Sequence, residues 1–250
     1  MIKLDNEFIK RLTSVTSFNL RPSDFTSNKY KNEIQYLFQQ HKFGSFDPKM
    51  SLGSMDKNKY NELVNLLKAD DKKEYEQLHN IKMSGVGPAE VVLFLLTKDG
   101  YIGGGSSTGA DLFINSKKYE VKAVKWKSKS KKDTVYDFKL GGNIPGMPQL
   151  EVDLQKAFFE AGLTSYVNTP EIKESLFKKF KEDNAEMYLS LEKRYQKLAR
   201  GYFSQHETIF IQTESNQPDF GEIISIKNVQ EEDIMMERYT SRSIKPLVRI

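Results

Sequence analysis

Two periods of apolar residues run along the chain. Tyr30, Ile34, Leu37 and Phe38, then Tyr60, Leu63, Leu66 and Leu67, recur at three-to-four spacing, so residues 1–83 read as a helical N-terminal region. Turn residues between Phe43 and Gly53 separate its two helices. From Ser84 to Leu96 the pattern changes. Pro88 suits a first helical position, Val91 to Leu96 is apolar on every side, and Gly100 closes the segment, which predicts a buried helix. The glycine-rich stretch Gly103 to Gly109 reads as a flexible turn. Alternation by two then takes over in Ala110–Ile114 and Tyr119–Val124, with Asn115–Lys118 as the hairpin turn and Thr134–Phe138 as a third run able to pair beside the second.

Beyond a Gly/Pro loop at 141–148, Leu150–Ala161 is expected to be helical. Thr169 and Pro170 cap a stripe of Ile172, Leu176, Phe180, Tyr188, Leu191, Tyr195 and Leu198, which predicts one long helix or two broken near Asp183 and Asn184. Glu207–Gln212 and Glu222–Ile226 alternate again, and a short helix and a basic strand-like end, Ser243–Ile250, follow. Helices, a buried helix, antiparallel-prone strands, helices and further strands predict an α/β (α+β) fold with a mixed β-sheet core flanked by helices, over residues 84–250.

Composition narrows the chemistry. With no cysteine in 250 residues, disulfides, thiolate zinc sites and cysteine nucleophiles are excluded. Three scattered histidines (His41, His79, His206) offer little for an imidazole metal site, so carboxylate and lysine remain. The start, Met1-Ile-Lys-Leu-Asp, has no apolar leader and no stretch is long enough to span a bilayer, so a cytoplasmic protein is expected. A net charge of +4 would say little if spread evenly, but eight lysines face one acid between Lys117 and Lys132. That local positive field suits a polyanion.

The single acid in that run is Glu120. Asp111 lies nine positions before it on the other strand of the predicted hairpin, and Lys122, two positions after it, emerges on the same face. Two carboxylates and an ammonium can thus meet at one point. Mg2+ takes oxygen ligands from one or two carboxylates while keeping waters for a substrate phosphate, and a lysine there can orient the attacking water. An isolated Glu-x-Lys is ordinarily the wet face of an amphipathic strand; here Asp111 heads an apolar run, a Gly-rich turn precedes it, and the buried helix carries Glu90. Glu90 has two readings, as the third residue of that helix capping its N-terminus or as a member of the acidic cluster.

Gly87-Pro-Ala-Glu90, Gly109-Ala-Asp111 and Glu120-Val-Lys122 together resemble the PD-(D/E)xK nuclease superfamily, which includes restriction endonucleases, resolvases and phage nucleases. The likeness covers residues 84–140 in detail, with Ala110 where the family has proline. It implies a restriction-endonuclease-like core and a Mg2+-dependent DNA endonuclease, with Asp111 and Glu120 as metal ligands, Glu90 ligating directly or through water, and Lys122 serving the water. Lys125, Lys127, Lys129, Lys131 and Lys132 would contact DNA phosphates from a hairpin tip, with Trp126 packing beneath their stems. A homodimer is expected if both strands of a palindromic site are cut. The rival reading keeps the nuclease fold in a DNA-binding or virion head-completion protein with little or no turnover. A protein-interaction module led by the N-terminal helices would leave the acidic cluster unexplained.

Overall fold

A computed structural model of the chain describes residues 55–79, 87–96, 100–105, 110–114, 116–126, 135–137, 144–203, 206–240 and 243–249. The expected helix around Tyr30–Phe38, the turn at 43–53, Gly85 and the lysines at 127, 129, 131 and 132 lie outside the described residues, as do the side chains of Lys125 and Trp126. The protein is mixed α/β and divides into two compact units. One comprises residues 1–123 and 206–227, the other 124–205 and 228–250. Among the described residues no helix is long and apolar enough to cross a membrane.

The first unit is built on helices α1 (Lys57–Leu78) and α2 (Pro88–Leu96) and strands β1 (Gly100–Gly105), β2 (Ala110–Ile114) and β3 (Lys117–Trp126, of which Lys117–Ala123 falls in this unit). The β2–β3 hairpin turns at Ser116, whose φ of 65° is the left-handed conformation that tight hairpins need. Leu112 pairs with Tyr119, Phe113 with Lys118 and Ile114 with Lys117, all antiparallel. β1 corrects the sequence expectation at two points. Gly100 opens this strand instead of closing the helix, which ends at Leu96, and Gly103 to Gly105 belong to the strand instead of a flexible turn. Glycine has no side chain to betray alternation; here β2 supplies the partner, from Gly100↔Ile114 to Gly105↔Ala110 with a bulge after Ile102.

Two strands from later in the chain complete this unit, one of them pairing with β3. These are strand Glu207–Gln212 and strand Ile223–Lys227, which pair antiparallel with each other. Lys117 at the start of β3 forms an ion pair with Glu207 at the start of the first, at 2.6 Å, while Val121 and Ala123 near its end share a cavity wall with Thr213. The two strands therefore run the same way, and odd-numbered residues of both share a face. Helix α1 docks on the outer strand through Asn61, whose side-chain amide donates to the Ile223 carbonyl at 2.9 Å and whose oxygen accepts the Ile223 N–H at 2.8 Å. The side chain thereby substitutes for a missing neighbouring strand. Of the apolar positions read on α1, Tyr60 and Leu63 are buried but Leu66 is 60% exposed.

The second unit contains β4 (Val135–Asp137), α3 (Met147–Glu160), β5 (Glu171–Ile172), α4 (Glu174–Asp183) and α5 (Ala185–Phe203). In chain order the two strands already described are β6 (Glu207–Gln212) and β7 (Ile223–Lys227), and β8 (Ile234–Thr240) and β9 (Ser243–Arg249) close the second unit. Its strands pair as β4–β9–β8–β5, and Trp126 at the end of β3 pairs with Tyr136 of β4. Of the two expectations, one long helix or two broken near Asn184, the second holds, with α4 and α5 parting there; the helix starts only at Glu174, after Lys173 as its cap, so Thr169 and Pro170 do not cap it and Ile172 belongs to β5. The short C-terminal helix is a single 3-10 turn, Glu231–Asp233, leading into β8, which alternation alone did not reveal. Phe158, Phe177, Phe180 and Tyr188 form the aromatic core beneath these helices.

Gly221 shows how tightly the first unit is packed. Its φ is +80°, and a Cβ there would lie 1.9 Å from the Tyr75 hydroxyl oxygen. Gly221→Ala is expected to cost about 1–3 kcal/mol or more, read as a lowered urea midpoint. An unchanged midpoint would show that the Tyr75 ring is not seated against this turn.

Candidate active site on the β2–β3 hairpin

Register places the acidic residues. Continuing the pairing one rung beyond Leu112↔Tyr119 sets Asp111 opposite Glu120, and the pleat turns Glu120 and Lys122 to the same face. Val121 and Ala123 turn to the other. The Asp111 carboxylate is fixed by its neighbour strand, since its Oδ2 accepts the Val121 backbone N–H at 2.9 Å. The Lys122 ammonium donates to Glu120 Oε1 and stands 3.8 Å from Asp111 Oδ2. The three side chains are only 20%, 15% and 13% exposed for Asp111, Glu120 and Lys122. The structure therefore brings together the three residues singled out by the Asp and Glu-x-Lys pattern.

Glu90 stands differently. Its Oε1 accepts the Gly87 backbone N–H at 3.0 Å, the bond from a third helical residue to the capping position. Gly87 allows it, because a Cβ at that position would sit 3.0 Å from the same oxygen. The side chain also lines a cavity of about 190 Å3 with His79, Val121, Ala123 and Thr213. Among the described residues Glu90 makes no hydrogen bond to Asp111, Glu120 or Lys122, but it feels all three electrostatically. Burial pushes its carboxyl up to about 8, the Asp111 charge adds to this, and the Gly87 amide and Lys122 oppose it. Asp111 is also raised, by burial first, with Lys122 pulling the other way.

Among these four groups, three carboxylates face one ammonium, so full ionisation leaves two negative charges uncompensated in a half-buried place. A divalent cation matches that excess. No three carboxylate or histidine groups among the described residues form a ready metal cage. The donor set on offer is Asp111 with Glu120, which suits a hard cation that retains several waters, and Glu90 is placed for an influence through water or charge. Of the lysines expected to contact DNA, none has a described side chain, so the structure assigns them no position. The Val121 amide that aims Asp111 is a main-chain donor, which no residue type in the sequence signals.

The sequence matches no family model, no curated protein and no solved structure.

Because the folded state holds Glu90 protonated up to about 8, while an unfolded glutamate ionises near its ordinary value of 4.5, the metal-free protein binds the extra proton only when folded. Its stability is therefore expected to fall as pH rises between those values. Glu90→Gln should flatten that slope, and a saturating divalent cation should do the same in the native chain. Thermal midpoints across the pH range, with and without EDTA, measure both; a pH-independent midpoint in EDTA would contradict the burial of an ionisable Glu90.

Proposed function

We propose that this chain is a Mg2+-dependent deoxyribonuclease of the PD-(D/E)xK type, with a restriction-endonuclease-like core. The observation that carries the reading is the meeting of Asp111, Glu120 and Lys122 on two paired antiparallel strands, with one ammonium held between two carboxylates. The buried helix α2 bearing Glu90 before the meander, and a sheet extended by β6 running with β3, support the same fold.

Asp111 and Glu120 would hold the cation, which supplies Lewis acidity and a water of lowered pKa. The Val121 amide keeps Asp111 from rotating, so its carboxylate is aimed before substrate arrives. With Glu120 facing a cation, the Lys122 ammonium would be held less tightly by that carboxylate. It would then orient the attacking water and balance the negative charge that grows on the phosphate oxygens. The water oxygen bonds to phosphorus, the P–O bond to the leaving sugar oxygen breaks, and the water's proton passes to solvent or to the leaving oxygen. Cutting both strands of a palindromic site would call for a two-fold pair of chains.

The test is incubation with supercoiled, linear and branched DNA in Mg2+ or EDTA. Cleavage in Mg2+ alone is expected, with Asp111→Asn and Glu120→Gln inactive and Lys122→Ala slowed by about 100-fold or more at saturating DNA. Glu90→Gln should reduce the rate sharply; full activity in that variant would confine Glu90 to capping its helix. DNA binding with no turnover under any of these conditions would favour the rival, a nuclease fold used structurally.

A further inference from the structure

Lys117 and Lys118 are neighbours in sequence, yet the pleat of β3 sends them to opposite faces. Lys117 is tied down, its ammonium 2.6 Å from Glu207 on β6. Lys118 shares its face with Glu120 and Lys122, two and four residues on. It sits directly across from Phe113 in the β2–β3 register, and its ammonium lies 5.7 Å from the centre of the Phe113 ring. That ring is 8% exposed, so it forms a fixed apolar shelf beneath the lysine stem. The ammonium remains at the surface, and among the described residues no carboxylate pairs with it.

One face of the hairpin thus carries a row of two rungs: Phe113 with Lys118, then Asp111 with Glu120, and Lys122 beyond. The separation between Lys118 and Glu120 along the strand is two residues, about 7 Å. A chain of phosphates laid along that row would meet the reacting centre at Glu120 and Lys122 and, one step away, an ammonium with no carboxylate partner among the described residues. We propose that Lys118, propped on Phe113, contacts the nucleic-acid backbone at a phosphate next to the one held at Asp111 and Glu120. The inference rests on the nuclease reading and deepens it by assigning the direction in which the substrate strand runs over the hairpin. Lys117, facing away and paired, takes no part.

Affinity for a short labelled DNA duplex in Ca2+, measured by anisotropy over a salt series, tests it. Lys118→Gln should weaken binding to every sequence alike and flatten the slope of log affinity against log salt by about 0.9 on duplex, or about 0.7 on single-stranded DNA. Lys118→Arg should restore the slope. Lys117→Gln, which loses its pair with Glu207, should lower the thermal midpoint and leave the slope unchanged. An unflattened slope in Lys118→Gln, or equal flattening in both glutamine variants, overturns the assignment while the native chain's DNA affinity leaves the nuclease reading standing. No DNA affinity in the native chain overturns both.

Discussion

The register of one hairpin governs everything proposed for this protein. Leu112 pairs with Tyr119, and from that rung follow the meeting of Asp111 with Glu120, the seat of Lys118 on Phe113 and the inward turn of Val121. A slip of one residue would exchange the faces of β3, sending Glu120 into the apolar layer and Val121 into water. Burial on the other face resists that slip. Ala110, Leu112, Ile114, Tyr119 and Val121 are all nearly inaccessible, so moving them costs far more than any polar contact on the site face contributes. The acidic cluster is held in place by the apolar side of the same strands.

The polar side, by contrast, is under electrostatic tension. Burial raises the proton affinity of Glu90 and Asp111, and neighbouring negative charge adds to it, Asp111 acting on Glu90 and Glu120 on Asp111. One lysine relieves part of this by bridging Asp111 and Glu120. Local rules of folding would not assemble such a cluster for stability, and conflict of this kind between local preference and the folded state is typical of sites kept for function. Glu90 shows how a single residue serves both demands, since one of its oxygens completes the helix cap while its charge is felt across the cluster.

Much of this was legible in the sequence where periodicity is strong. Alternation marked β2, β3, β6 and β7, and the stripe to Leu198 allowed one long helix or the two, α4 and α5, that part at Asn184, but its first member, Ile172, lies in β5. β1 was hidden because four of its six residues, Gly100 and Gly103 to Gly105, have no side chain to show a period; its strand character comes from β2. β8 was hidden because Met235, Met236, Glu237 and Arg238 follow no alternation, and a bulge against β9 falls within them. In the site, Asp111, Glu120 and Lys122 were readable because spacing and strand parity bring them together. The tie between Glu90 and Gly87 and the different surroundings of Lys117 and Lys118 required atomic placement, since a count of lysines carries no faces.

The position of β6 has a further consequence for how the protein is made. Along Lys117–Ala123, β3 gains its partner β6 only from Glu207 onward, after all of Val124–Gln205 has been synthesised. A nascent chain therefore carries Asp111, Glu120 and Lys122 early, on a hairpin whose β3 edge stays open over that stretch while the intervening segment emerges, β4 pairing only the end of the strand at Lys125 and Trp126. Contacts so distant in sequence form late and slowly. During translation the hairpin is thus a meander with one unpaired, strand-accepting margin, and this interval is when it is most exposed to capture by another chain.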